Sequence, residues 1–186
     1  MLSQTVQKLN GIDTNAIKQI ADEVSRDPKQ GIVKFQVATN WIDGPKSVTQ
    51  IDSYELAGQK ISKNFVVQID EPTELLGSNT APNPQEMLMA AFNACILVGY
   101  VALSSIQGIE LEKLRIETEG ELDLRGFLGI DPTVKPGYNE IRYTVHIKGN
   151  ATPEQFQEIH KTVMATSPNF WNMANAIELK PELQIR

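Results

Sequence analysis

Seventeen consecutive residues, Met87 to Leu103 (MLMAAFNACILVGYVAL), carry no charge. A stretch this apolar must be covered by protein or lie in a bilayer, since exposed apolar surface costs ~25 cal/mol per Å². It falls just short of the ~20 residues that span a bilayer, and Asn93, Gly99 and Tyr100 interrupt it. No Lys or Arg flanks it closely, so the usual interfacial anchors are missing. It therefore predicts a helix covered nearly all round inside a soluble core, and no membrane partner. The preceding residues start that helix. Asn83 is a good N-cap, Pro84 suits the first helical position, and Glu86 stands three residues after the cap as in a capping box. The helix should run from about residue 84 to Gln107, with Gly108 ending it.

Around this helix the period alternates between two and 3.6. Residues 13–25 place Ile17, Ile20, Ala21 and Val24 at helical spacing, a short amphipathic extension before the main domain. Val33, Phe35, Val37, Thr39 and Trp41 then alternate with more polar neighbours as a half-buried strand. Asp43-Gly44-Pro45 turns the chain, Val48–Leu56 returns, and Phe65, Val67 and Ile69 mark a third strand. After the long helix, strands are expected over 115–124 and 141–148, each with one apolar and one charged face. The Gly/Pro-rich connection 126–139 between them is long for a compact domain, which points to function or mobility. Thr152-Pro153-Glu154-Gln155 opens another helix with a capping box, and Ser167-Pro168 breaks it before a short turn. A last strand is expected over 177–185, where Ile177, Leu179, Leu183 and Ile185 alternate with polar residues. Single helices between runs of strands predict an α+β fold. We divide the chain into an N-terminal helical extension, 1–32, and a domain, 33–186.

The charge balance, 17 basic against 23 acidic residues, gives −6. It argues against general binding to nucleic acid or anionic membranes, which need cationic surfaces. The single cysteine, Cys95, excludes an intramolecular disulfide and a cysteine metal cluster. With His146 and His160 as the only histidines, a transition-metal site is poorly supplied. No phosphate loop or dinucleotide fingerprint is present, so no cofactor is expected. The first residues show no long apolar run behind a basic start, so no secretory signal is expected and the cytoplasm is the expected compartment.

Cys95 is either core packing or a reactive group. Mid-helix, it gains little from the helix dipole, so an activated thiolate would need a cation from another segment. Glu86 stands nine residues earlier, about 13 Å along the axis, out of reach of the thiol on a straight helix; a role there would need another route, most simply a second chain. His146 falls on a charged strand face. His160 is seven residues before Ser167, too far on one helix for a nucleophile–base pair.

Together these segments are recognisable. From about Val33 onward the chain resembles the OsmC/Ohr superfamily, named for osmotically inducible protein C and organic hydroperoxide resistance protein. The resemblance is carried by Pro84-Gln85-Glu86-Met87-Leu88-Met89-Ala90-Ala91-Phe92-Asn93-Ala94-Cys95, which looks like the family's helix leading to a cysteine. The strand–helix order matches as well. The block DLRGFLGIDPTVKPGYNEIR is similar to that of an OsmC-like subgroup with an N-terminal helical extension. The resemblance implies antiparallel sheets around two long central helices in an intertwined homodimer, with sites at the subunit interface. It implies that Cys95 holds the position of the cysteine that attacks hydroperoxides. Ser167 stands where peroxidatic members carry the resolving cysteine. Glu86 matches the acidic residue of other OsmC-like members, whereas hydroperoxide-resistance members place theirs at Gln85. Lys46 is the nearest counterpart of their activating arginine.

Two functions follow from the resemblance. One is a one-cysteine, thiol-dependent peroxidase for small apolar organic hydroperoxides, with Cys95, Glu86, Lys46 and Ser167 at its site. It would use an external thiol or lipoyl-type dithiol as reductant. The other is a homodimer that binds a small or lipid-like ligand without peroxidatic chemistry.

Overall fold

A computed structural model describes residues 8–185. They form two compact units, one of Asp13–Leu88 and the other of Leu9–Ile12 with the chain from Met89 onward.

Helix α1 (Thr14–Arg26) lies in the first unit and follows two short strands, β1 (Lys8–Leu9) and β2 (Ile12–Asp13). The Asp13 carboxylate caps α1 by accepting from the backbone N–H groups of Asn15 and Ala16. An antiparallel sheet follows, built from β3 (Val33–Phe35), β4 (Ala38–Asp43), β5 (Lys46–Leu56) and β6 (Gln59–Ile69). β5 is its spine, with β6 along one side and β3 and β4 end to end along the other. The strand expected over 33–41 is therefore two strands. Phe35 pairs with Tyr54 and Ala38 with Gln50, so two residues face three at that point. That mismatch is a bulge, which bends the edge and ends the ladder. Several large apolar side chains of this sheet are exposed, among them Phe35, Trp41, Ile42, Phe65 and Val66.

The connection from β6 to the long helix is folded around one buried carboxylate. Asp70, 1% exposed, accepts from the backbone N–H groups of Glu71, Ser78 and Thr80 and from the Thr80 hydroxyl. Burial alone would raise its pKa, but these hydrogen bonds outweigh it and bring the value from 3.8 to about 2. Gly77 is required here, because a Cβ at that position would lie 1.7 Å from the carbonyl oxygen of Glu71.

Helix α2 (Pro84–Ile106) begins in the first unit and runs through the second. The remaining elements are β7 (Leu111–Gly120), α3 (Leu124–Phe127), β8 (Ile141–Gly149), α4 (Pro153–Thr166) and α5 (Pro168–Ala174). β7 and β8 form an antiparallel pair, with Ile116 opposite Val145. The alternating burial along β8 matches its one apolar face. The core joins Phe92, Ile96 and Tyr100 of α2 to Ile159 and Val163 of α4, with Ile109 beside them. Gly99 brings the helices close, since a Cβ there would stand 3.2 Å from Val163 Cγ1. The capping box of α4 is complete, Thr152 and Gln155 each bonding the other's backbone N–H. At the other end of the chain, the Asn10-Gly11 turn is fixed to the end of α2. The Asn10 side chain donates to Ile109 O and Ser105 Oγ and accepts from Leu111 N–H.

Three further expectations are corrected. The chain does not cover α2 all round: the Phe92–Ile96–Tyr100 stripe is buried, whereas Leu88 and Val98 are exposed. No strand forms over 177–185, and Ile177, Leu179, Leu183 and Ile185 are exposed. A strand needs a neighbour for its backbone groups, and alternation alone does not supply one. Finally, β7 stops at Gly120 and Leu124 lies in α3, where the Asp123 carboxylate caps Arg125 N–H. The 126–139 connection is folded onto itself, because a Cβ at Gly126 would strike the carbonyl oxygen of Lys135 at 2.3 Å. α2 has the length and apolarity to cross a membrane, but its buried stripe and the buried Ser104 and Ser105 pack within the chain.

Candidate functional site

Cys95 sits half-buried in the middle of α2, one turn before the Gly99 contact. Its Sγ lies 3.5 Å from the Ser167 hydroxyl oxygen. Ser167 is buried and is the N-cap of α5, where its Oγ accepts from the backbone N–H of Phe170 at 3.4 Å. The cap occupies an oxygen lone pair and leaves the hydroxyl hydrogen free to point at sulfur. Against a thiol either group can be the donor, whereas against a thiolate only the Ser167 hydroxyl can donate. Asn169 strengthens the arrangement by donating from Nδ2 to the carbonyl oxygen of Ala91 at 2.8 Å, which ties the start of α5 to α2. The two side chains open onto a recess of about 370 Å³, walled mainly by Val98, Gly99, Val163 and Pro168. No charged side chain is among its described lining residues.

Such a recess suits an apolar substrate with one polar reacting atom. A thiolate formed there would gain a hydrogen bond from Ser167. The cation that activation calls for is not in the recess wall.

The structure places the other two candidates in the first unit. Glu86 closes the capping box of α2, with Asn83 N–H donating to its carboxylate and Glu86 N–H donating to Asn83 Oδ1, both at 2.8 Å. It also stands near Glu71, whose pKa is raised by burial first and then by the charges of Asp70 and Glu86. Because α2 is continuous, Glu86 remains nine residues from Cys95. Lys46 opens β5 opposite Asp43, half-buried at the hairpin.

Two residues outside the predicted site stand out. Tyr100, 1% exposed, has its hydroxyl hydrogen-bonded to His160 Nδ1, and the two rings stack with centroids 6.1 Å apart. Burial, with a smaller contribution from Tyr143, pushes the Tyr100 pKa up to about 12. The signal available in the sequence was a histidine beside the apolar stripe of α4, next to Ile159. His146 instead pairs with Glu117 on the exposed face of the β7–β8 sheet, at 2.9 Å.

A family model described as OsmC-like protein matches residues 77–182. The chain belongs to this OsmC-like family. Its fold is that of an OsmC-like protein from Mycoplasma pneumoniae, at 15% identity and a TM-score of 0.60, covering 76% of this chain and 87% of that one. It is similar also to an OsmC-like protein of unknown function from Vibrio cholerae, at 14% identity and a TM-score of 0.50, covering 74% of this chain and 91% of that one. Among curated proteins it is similar to the uncharacterized protein YmaD of Bacillus subtilis, 30% identical over 86 residues. That match takes in 46% of this chain and about half, 51%, of YmaD.

Proposed function

We propose that this OsmC-like protein is a one-cysteine, thiol-dependent peroxidase that reduces organic hydroperoxides. The observation that carries the reading is the Cys95–Ser167 contact at the base of an apolar recess. In the reaction, the Cys95 thiolate attacks the distal oxygen of ROOH and the O–O bond breaks. The alcohol leaves as ROH after taking up a proton, and Cys95 becomes a sulfenic acid. With serine at position 167, no disulfide can form within the chain. An external dithiol attacks the sulfenic sulfur and water leaves. The second thiol of the reductant then displaces Cys95 as a thiolate, and the reductant departs as its own disulfide. Ser167 donates to the thiolate and then to the sulfenic acid.

Lys46 is assigned as the cation and Glu86 as the acidic partner, both contributed by a partner subunit in a homodimer. The exposed apolar side chains of β3–β6 and of 177–185 support that assembly, because contiguous exposed apolar surface marks interaction sites. Sedimentation should give twice the chain mass at micromolar concentration, and a monomer would remove the assembly. The activity is tested with cumene hydroperoxide and dihydrolipoamide. Consumption of hydroperoxide that disappears in Cys95→Ser supports the reading, and its absence from the wild-type protein overturns it.

The uncharged recess wall favours a second reading, a homodimer that binds a small or lipid-like ligand beside an unreactive Cys95. Native mass spectrometry that retains such a ligand, with no hydroperoxide turnover, would select it.

A further inference from the structure

The Tyr100–His160 pair lies in a groove that shares no lining residue with the Cys95 recess. The groove, about 720 Å³ and open to solvent, runs between β8 and α4. Its walls are Tyr143, Val145, Ile147 and Phe156, and His160 and Lys161 stand beside them. The volume falls within the ~300–1,000 Å³ usual for small-molecule sites.

The buried Tyr100 hydroxyl must donate its proton or leave it unpaired, and His160 Nδ1 is its hydrogen-bond partner. Its raised pKa keeps the hydroxyl protonated. Nδ1 is therefore the acceptor, and a neutral imidazole then carries its hydrogen on Nε2. Stacking on Tyr100 fixes the ring, so this donor has a set direction. Lys161, the next residue, adds a positive charge on an exposed side chain held only loosely to Glu158, at 3.5 Å. No carboxylate lines the groove among the described residues. An apolar trough with a fixed N–H donor and an ammonium beside it complements a chain with an anionic end.

We infer that this groove binds an aliphatic carboxylate, its head group accepting from His160 Nε2–H and pairing with Lys161, its tail lying along Val145, Ile147 and Phe156. The site is independent of the chemistry proposed for Cys95.

Calorimetric titration of the full chain with sodium decanoate, below its micelle concentration, tests this. Decanoate should bind, and octanoate, two methylenes shorter, should bind about tenfold more weakly. His160→Asn keeps an acceptor near Tyr100 but removes the outward donor, and should weaken decanoate binding by about tenfold. Lys161→Met, at a position too exposed to threaten folding, should weaken it by up to about fivefold. In proton NMR the His160 ring resonances should move on titration while those of His146 stay in place. Cys95→Ser should bind decanoate as the wild type does, so a failed peroxidase assay leaves the groove untouched. The inference is overturned if 1-decanol or decyltrimethylammonium binds as well as decanoate, or if Lys161→Met and His160→Asn change nothing. Loss of binding in Cys95→Ser would also overturn it, by moving the ligand to the other recess. So would an absence of binding, the result expected if residues 177–185 of a second copy fill the groove.

Discussion

The Ser167 hydroxyl serves two partners, accepting from Phe170 N–H as the α5 cap and standing 3.5 Å from Cys95 Sγ with its own hydrogen free. Removing it should therefore have two separable effects. Ser167→Ala should cost about 1 kcal/mol of stability through the lost cap. It should also slow the reaction of Cys95 with hydroperoxide by about tenfold or more, since hydrogen bonds to charged groups contribute ~1.5–3 kcal/mol. Ser167→Thr, which can cap and donate, should restore both. Stopped-flow oxidation alongside urea unfolding measures the pair. Loss of stability with an unchanged oxidation rate would leave Ser167 a cap and nothing more.

The same proximity predicts a gain of function. Ser167→Cys should put a second thiol beside Cys95, able to trap the sulfenic acid as an intramolecular disulfide. After one equivalent of hydroperoxide, this variant should show no free thiol and a mass lower by two hydrogens than its reduced form. One free thiol beside a Cys95 sulfenic acid would show that the backbone at 95 and 167 cannot meet disulfide geometry, and two free thiols would show that Cys95 does not react with hydroperoxide.

Glu86 can be tested without breaking its helix. Glu86→Gln retains an oxygen for Asn83 N–H, so it should cost no more than about 1 kcal/mol through the weakened interaction with the helix dipole. If the partner subunit's carboxylate takes part in the reaction, hydroperoxide turnover should nevertheless fall by about tenfold. Unchanged turnover would confine Glu86 to the capping box.

The α2–α4 core should be intolerant of truncation. Ile159 is fully buried against α2, so Ile159→Ala should lower unfolding free energy by about 2–5 kcal/mol. Urea denaturation followed by tryptophan fluorescence would show it.

Asp70 should make the protein sensitive to acid. Its folded pKa, about 2, lies below the ordinary 3.8. Its contribution to stability is therefore complete above pH ~4 and is lost as pH falls through ~2. Asp70→Asn replaces one acceptor with a donor facing Thr80, so it should be less stable than wild type at pH 6. The difference between their urea midpoints should shrink steadily from pH 4 to pH 2. A constant difference would mean that the carboxylate charge does not hold the loop.

The parts of this fold legible in the sequence were those fixed by neighbours along the chain. The caps of α2 and α4 could be read because Asn83 and Glu86, or Thr152 and Gln155, stand three residues apart and act on each other. The strands β5, β7 and β8 could be read from their period. The break between β3 and β4 could not, because it arises from a count of residues on β5. The strand expected over 177–185 failed for a related reason, since its alternation carries no information about a partner. In the site, Cys95 and Ser167 were named through resemblance, but their contact joins residues 72 apart. The Tyr100–His160 pair, 60 apart, depends on how two helices cross. Along the chain His160 stands seven residues from Ser167, yet the residue it meets is Tyr100.

The anchoring of Asn10 has a consequence for how the chain is made. Its partners Ser105, Ile109 and Leu111 lie 95 to 101 residues downstream. Synthesis proceeds from the N-terminus at ~5–20 residues per second. The Asn10-Gly11 turn must therefore wait ~5–20 s after its own synthesis before its docking place exists. Until then the Asn10-Gly11 turn has nothing to hold. This turn is thus among the last parts to settle, and its arrival closes the end of the helix that carries the thiol.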